Sequence, residues 1–121
     1  MPFNILQNTA GGKSVELPAG LDIKNQISKL VNSSPIFLFM KGTPESPQCG
    51  FSANVVSILN DLNVSFNTFN VLSNSEVRQA VKDFSNWPTY PQLFVKGELV
   101  GGNDIVMEMQ KSGELKKMLE A

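Results

Sequence analysis

The stretch that decides the fold spans residues 36–62 and reads IFLFMKGTPESPQCGFSANVVSILNDL. It begins with five consecutive apolar residues, Ile36–Met40, a pattern typical of a central strand that is covered on both faces. The next segment, Lys41–Gln48, contains one glycine and two prolines and is predicted to be a loop. From Gly50 onward, apolar residues recur at helical spacing. The stretch therefore predicts a strand, a loop and a helix, with Cys49 at the junction between loop and helix.

Further helices and strands surround this unit. A helix capped by Asp22 precedes it, and a strand and a second amphipathic helix follow it. A hairpin with its turn at residues 96–98 leads to a final helical region, which is capped by Asn103 or Asp104 and has a break at residues 112–113. The order α, β, α, β, α, β, β, α predicts an α/β fold. We expect a four-stranded mixed sheet with its first two strands parallel and helices on both faces.

Length and composition restrict the classes of protein. At 121 residues the chain can form one hydrophobic core, and 41% hydrophobic residues argue against a disordered chain. A net charge of −1 argues against nucleic acid as a partner, and no apolar run approaches the ~20 residues of a membrane span. Residues 1–20 show no sustained periodicity and are predicted to be a flexible N-terminal extension or linker, with the folded domain at residues 21–121.

Cys49 is the only cysteine, and the chain contains no histidine. Serine–histidine and cysteine–histidine nucleophile pairs and histidine metal ligands are therefore excluded. One cysteine cannot form an intramolecular disulfide or a four-cysteine metal site, so sulfur chemistry would need a second sulfur from another molecule. A lone thiol also favours a reducing compartment, and we expect the cytosol, or an organelle if a transit peptide was removed.

The predicted place of Cys49 at a helix N-terminus favours a reactive thiol. Unpaired backbone N–H groups and the helix dipole stabilise a thiolate there, and cysteines in such places have pKa values of about 3.5–7.5 instead of about 8.5. The alternative is an inert buried cysteine, a common state for this residue. The neighbouring glycine and prolines favour exposure, because they are typical of surface loops.

Four segments in order carry a family resemblance: FMKGTP at residues 39–44, CGFS at residues 49–52, WPTYPQ at residues 87–92 and GGND at residues 101–104. Over about residues 22–121 the chain resembles the monothiol glutaredoxins of the Cys-Gly-Phe-Ser class. The resemblance implies a thioredoxin-like fold and glutathione binding. It also implies a [2Fe–2S] cluster held between two protomers, each of which supplies one cysteine and one glutathione thiolate.

The same resemblance implies roles for individual residues. Lys41 would meet a glutathione carboxylate or the ligand sulfur, and Arg78 would pair with a carboxylate, although such residues are usually solvated. The Tyr90–Pro91 bond would be cis, and N–H groups before the last helix would donate to the other carboxylate. Many relatives carry cysteine where this chain has Asn103. The implied glutathione contacts are Lys41, Cys49, Phe51, Arg78, Thr89, Tyr90, Pro91, Gly102, Asn103 and Asp104, and Cys49 is also the implied nucleophile and cluster ligand.

Three functions remain open on the sequence. The first is an iron–sulfur cluster carrier that is a glutathione-dependent homodimer when loaded and a monomer when apo, with BolA-like and apo iron–sulfur proteins as implied partners. The second is a thiol-disulfide oxidoreductase that attacks protein–glutathione disulfides through Cys49, at most a weak enzyme. The third is a non-catalytic interaction domain of a longer protein. Ser52, in the place of a resolving cysteine, and the long segment from Gly42 to Gln48 favour the first.

Overall fold

The computed structural model describes residues 10–120, which form a mixed α/β fold. The main sheet contains β1 (Gly11–Ser14), β2 (Ile36–Met40), β5 (Ser65–Asn70), β6 (Gln92–Val95) and β7 (Glu98–Gly101), and a small ribbon is formed by β3 (Gly42–Thr43) and β4 (Ser46–Pro47). The helices are α1 (Ile23–Val31), α2 (Gly50–Asp61), α3 (Ser75–Ser85), α4 (Asn103–Ser112) and α5 (Glu114–Glu120), with a 3₁₀ turn at Val71–Ser73. None of these helices is long and apolar enough to cross a membrane.

Strand β2 lies in the middle of the sheet, whose order is β1-β5-β2-β6-β7. It is parallel to β5 and antiparallel to β6, and β6 and β7 form the predicted hairpin. All five residues of β2 are buried, so the continuous apolar run is explained by cover on both faces. The predicted parallel pair, the hairpin and the thioredoxin-like α/β fold are therefore confirmed.

The two faces of β2 belong to two separate hydrophobic clusters. Leu38 and Met40 pack in one cluster with residues of α2, α4 and α5. Phe37 and Phe39 pack in the other with residues of α1 and α3. Since neighbouring strand residues point to opposite faces, one five-residue strand anchors both layers of helices. The loop that leads to Cys49 begins directly after the last residue of this strand.

The main sheet has five strands instead of the predicted four, because β1 adds a strand at its edge. It pairs in parallel with β5 and lies within the segment that we predicted to be a flexible extension or linker. Flanking hydrogen bonds extend the pairing, from the Gly11 N–H to the Val64 carbonyl at 2.9 Å and from the Val15 N–H to the Thr68 carbonyl at 2.8 Å. The segment has no alternating apolar pattern, so sequence periodicity could not reveal it. Residues 1–9 of the same prediction lie outside the described residues.

The helix boundaries confirm most of the local predictions. The Asp22 carboxylate accepts the Asn25 N–H at 2.9 Å and caps α1. Gly113, with φ of +84°, separates α4 from α5 at the predicted break. The predicted cap of α4 is wrong, because Gly102 holds the N-cap position and Asn103 is the first residue of the helix. A glycine N-cap has no side chain to satisfy the first N–H groups, which leaves them available to a ligand.

We predict that Gly12→Ala destabilises the protein. A β-carbon at Gly12 would lie 2.7 Å from the ring of buried Phe66 and 2.8 Å from Pro44 Cγ, so the core or the loop before Cys49 would have to move. Overpacking of this kind costs about 1–3 kcal/mol in the free energy of unfolding. Urea denaturation of both Gly12→Ala and the control Lys13→Ala, an exposed position on the same strand, measures the effect. Equal midpoints for the two variants would mean that β1 does not pack against the domain in solution.

Candidate functional site

Cys49 is the N-cap residue of α2, as the sequence predicts. Its backbone is extended, with φ of −152° and ψ of 134°, and its carbonyl accepts the Ala53 N–H at 2.9 Å as the helix begins. The residue is half-buried. The thiol is therefore held at the positive end of a helix of 12 residues while remaining open to another molecule.

The pKa of the Cys49 thiol lies below its ordinary value. The main cause is the backbone N–H of Ser52, which stabilises the thiolate; the N–H of Phe51, the charge of Lys41 and the Ser52 hydroxyl act in the same direction. Partial burial raises the pKa but does not outweigh these contributions. The environment of Cys49 thus favours a nucleophilic and metal-binding thiolate.

The buried hydroxyl of Ser52 ties the start of α2 to the end of β2. Its Oγ accepts the backbone N–H of Lys41 at 3.2 Å, and the Lys41 carbonyl accepts the Gln48 N–H at 2.9 Å. The intervening loop closes at Gly42, which has φ of +95° and no room for a β-carbon beside Ser46 and Gln48. The position that a resolving cysteine would occupy therefore holds a structural serine, and the loop before Cys49 is closely packed.

Two adjoining cavities of about 300 and 190 Å³ share Phe51, Thr89 and Tyr90 and form one groove beside Cys49. One end of the groove is lined by cationic side chains and the other by the start of α4. The lining residues are Lys41, Cys49, Phe51, Arg78, Lys82, Pro88, Thr89 and Tyr90 at the first end, and Phe51, Trp87, Thr89, Tyr90, Gly102, Asn103, Asp104 and Ile105 at the second. Of the site residues expected from the sequence, all except Pro91 line this groove.

Pro91 and Gln92 shape the wall of the groove from behind it. Pro91 is buried, and its bond to Tyr90 is cis, as the resemblance implied. The fully buried side chain of Gln92 donates from Nε2 to the Trp87 carbonyl at 2.9 Å and to the Thr89 carbonyl at 3.1 Å. Gln92 therefore holds the proline-rich loop in place, a role that the sequence did not reveal.

Three cations surround the first end of the groove: Lys41, Arg78 and Lys82. Within residues 10–120 none of them forms a salt bridge, so their charges are free to meet an anion. Lys82 is not among the residues expected from the sequence, although it follows Arg78 by four positions on α3 and therefore shares its face. That spacing is the signal that would have found it.

Tyr90 links this cationic end to the rest of the groove. Its hydroxyl donates to the Arg78 carbonyl at 2.6 Å. Burial raises the pKa of the Tyr90 hydroxyl and outweighs the positive charge of Arg78, which lowers it. The hydroxyl therefore stays neutral and keeps this donor role. The ring is thereby fixed between α3 and the groove as an uncharged wall.

The second end of the groove is the N-terminus of α4. A β-carbon on Gly102 would lie 3.2 Å from the Pro91 carbonyl oxygen and 3.4 Å from Trp87 Nε1, so the backbone approaches the loop closely there. The side chain of Asn103 is engaged elsewhere, since its Oδ1 accepts from Asn54 Nδ2 at 2.7 Å. What this end offers an anion is therefore backbone N–H groups rather than the Asn103 amide.

A partly exposed thiol of lowered pKa, beside a groove with cationic side chains at one end and a helix N-terminus at the other, is typical of thiol-dependent redox or metal-binding proteins. A model of the glutaredoxin family matches residues 36–100. Monothiol glutaredoxin-S17 of Arabidopsis thaliana is 60% identical over 97 residues, which cover 80% of this chain but only 20% of that protein. An uncharacterized monothiol glutaredoxin, ycf64-like, of Synechocystis is 52% identical, with 82% of this chain and 92% of that protein covered. The chain belongs to the glutaredoxin family, among its monothiol members.

Solved structures agree with this assignment. Reduced apo GrxS14 of poplar has a TM-score of 0.73 at 50% identity, with 81% of this chain and 90% of that chain covered. A buckwheat glutaredoxin–glutathione complex has a TM-score of 0.72 at 28% identity, with 81% and 87% covered. The backbone arrangement described above is thus shared by glutaredoxins of quite different sequence.

We predict that Cys49 is alkylated as a low-pKa thiol. Its rate of reaction with iodoacetamide should reach half-maximum at a pH below that of a free cysteine, because N–H groups and Lys41 stabilise the thiolate. Lys41→Gln removes a positive charge that lowers the pKa, so the midpoint should rise. The control Lys24→Gln, at an exposed position on α1, should leave it unchanged. A wild-type midpoint at or above that of free cysteine would contradict the assigned environment.

Proposed function

We propose that this protein binds glutathione in the groove and, as a dimer, carries a [2Fe–2S] cluster. The proposal rests chiefly on one observation. A single thiol of lowered pKa lies beside a groove that has cationic side chains at one end and a helix N-terminus at the other. Glutathione has one thiol and two terminal carboxylates, so its chemistry matches this layout. The glutathione complex of the buckwheat relative supports the choice of ligand.

The cationic end and the helix end would each take one carboxylate of glutathione. Lys41, Arg78 and Lys82 would neutralise the first, and the N–H groups at the start of α4 would donate hydrogen bonds to the second. With both carboxylates held, the glutathione sulfur would lie near Cys49, in the part of the groove that Thr89 and Phe51 also line. These contacts to the two carboxylates would orient glutathione even if the peptide backbone of the ligand stays near the protein surface.

The cluster would be the cargo of this protein, and the donor set explains why it requires a dimer. Two irons need four protein or peptide ligands beyond the bridging sulfides. Among residues 10–120 no three His, Cys, Asp or Glu side chains come together to hold a metal ion, and Cys49 is the only sulfur ligand of the required kind. Glutathione and a second copy would supply the other three thiolates.

The surface beside Cys49 is suited to a second copy. Phe51 is 61% exposed and Ile105 is 39% exposed at the rim of the groove. These two apolar side chains would be covered if a second copy bound beside Cys49. In this proposal the protein is a monomer when apo and a homodimer when loaded. It would deliver its cluster to apo iron–sulfur proteins in a reducing compartment such as the cytosol. BolA-like proteins would be further partners.

A second candidate function is reduction of protein–glutathione disulfides, which the low pKa of Cys49 favours. The Cys49 thiolate would attack the glutathione sulfur and release the protein thiolate, forming a Cys49–glutathione disulfide. A free glutathione would then release glutathione disulfide and restore Cys49. Ser52 offers no second thiol for internal displacement, so this route depends wholly on external glutathione.

We predict that Cys49→Ser abolishes cluster binding while leaving the fold intact. A hydroxyl is a poor ligand for iron in a cluster site, and no other residue of the chain can supply a thiolate. Anaerobic reconstitution with ferrous iron, sulfide and glutathione should give wild-type protein visible absorption and a dimeric elution volume. The Ser variant should show essentially none of this absorption, because the dimer would lose two of its four thiolate ligands.

Two controls make this reconstitution decisive. Thermal unfolding of Cys49→Ser should match that of the wild type, since a half-buried thiol and a hydroxyl are similar in size. Omission of glutathione should abolish both the absorption and the dimer. A stable cluster on a monomer without glutathione, or an unchanged spectrum in the Ser variant, would overturn the proposal.

We predict that Lys82→Gln weakens glutathione binding about 2- to 5-fold, the range for loss of one partly solvated charge contact. The measurement is an NMR titration of reduced glutathione into the Cys49→Ser variant, which removes thiol exchange. Lys116→Gln, at an exposed position on α5, is the matched control and should have no effect. If both variants bind equally well, Lys82 is only a solvated surface residue.

A further inference from the structure

A side-chain hydrogen bond joins α2 to α4 close to both of their N-termini. Asn54 Nδ2 donates to Asn103 Oδ1 at 2.7 Å, across 49 positions of sequence. The Asn103 Nδ2 in turn contacts the sulfur of Met107 at 3.4 Å, one turn further along α4. Both ends of the Asn103 amide are therefore engaged, and the residue is half-buried. None of the functional roles assigned above uses Asn54.

The two helices otherwise meet through apolar side chains. Val55 and Leu59 of α2 and Val106 of α4 are fully buried in the same cluster. Such contacts are non-directional, so they hold the helices together without strongly specifying a slide or rotation of one against the other. The hydrogen bond between Asn54 and Asn103 has a fixed length and direction, and it therefore specifies how the helix starts are aligned.

The aligned helix starts are the two that the proposed function uses. Cys49 is the N-cap of α2, and Asn54 lies five residues after it. Asn103 is the first residue of α4, and its backbone N–H is one of the groups proposed to donate to a glutathione carboxylate. A ligand that touches both helix starts requires them at a set separation.

We propose that Asn54 is a positioning residue for glutathione, acting through Asn103. This inference rests on the proposed glutathione site. Asn54 does not touch the groove, since it is absent from the residues that line it. It holds the carboxylate-binding start of α4 in register with the Cys49 sulfur. Loss of the bond should therefore weaken recognition of glutathione without changing the reactivity of the thiol.

The test compares two disulfides in their reaction with the intact protein. The Cys49 thiolate attacks glutathione disulfide or 2-hydroxyethyl disulfide, forms a mixed disulfide and releases the corresponding thiolate. Hydroxyethyl disulfide has no carboxylates, so its rate constant reports only the reactivity of Cys49. The ratio of the two rate constants reports recognition of glutathione.

Asn54→Ala should lower this ratio about 2- to 10-fold, the range for loss of one hydrogen bond, with the hydroxyethyl rate unchanged. Asn60→Ala, an exposed position on the same helix, is the control and should leave the ratio unchanged. Asn103→Ala should lower the ratio similarly, and the double variant should show no further loss, because both substitutions remove the same bond.

The disulfides of cysteinylglycine and γ-glutamylcysteine provide a second readout. Cysteinylglycine lacks the γ-glutamyl residue and its carboxylate. γ-Glutamylcysteine lacks the glycine, so its terminal carboxylate lies one residue nearer the sulfur. The peptide that cannot reach α4 should respond to Asn54→Ala like hydroxyethyl disulfide, whereas the other should respond like glutathione disulfide. Equal effects on both peptides would indicate a general structural perturbation and would overturn the positioning role.

The remaining outcomes separate this inference from the function on which it rests. A wild-type protein with no preference for glutathione disulfide over hydroxyethyl disulfide would overturn the proposed glutathione site. A wild-type preference that persists in Asn54→Ala, or a fall in both rate constants by the same factor, would overturn only the role of Asn54.

Discussion

Burial of β2 on both faces is the constraint on which the rest of this structure depends. Its side chains alternate between two hydrophobic clusters, so the strand can be satisfied only when helices cover both sides of the sheet. A strand enclosed in this way has a fixed end. From that end the backbone N–H of Lys41 reaches the Ser52 hydroxyl and places the start of α2, together with Cys49, against the sheet.

The chemistry of the site arises from local concentration of positive charge in a chain whose net charge is −1. Two helix starts and three cations converge on one groove, and Asp104 is the one carboxylate among its lining residues. Local potential rather than net charge decides what such a groove attracts. The N–H groups at the start of α2 and the charge of Lys41 also stabilise the Cys49 thiolate, so the proposed recognition of an anionic thiol peptide and the activation of the protein thiol draw on neighbouring groups of one groove.

Much of this arrangement could be predicted from local sequence. The apolar run of β2 specified a covered central strand, and the glycine and prolines that follow it specified a loop that ends at Cys49. The break at Gly113 and the hairpin also followed from turn chemistry. These features depend on residues close to each other in the chain, and periodicity and turn preferences report such short-range constraints directly.

Other features were decided only by the tertiary structure. Strand β1 pairs through its backbone with β5, which lies some fifty residues further along the chain. The Gly-Gly-Lys-Ser segment has no side-chain pattern that would predict this strand. Gly102, not a polar neighbour, starts α4 because the backbone there passes close to Pro91 and Trp87. The Asn54–Asn103 bond likewise joins residues that only the packing of α2 on α4 brings together. The sequence by itself predicted Cys49 and most of the residues that line the groove, although not Lys82. Their distances, and the long-range contacts that set them, depend on non-local packing that no local pattern encodes.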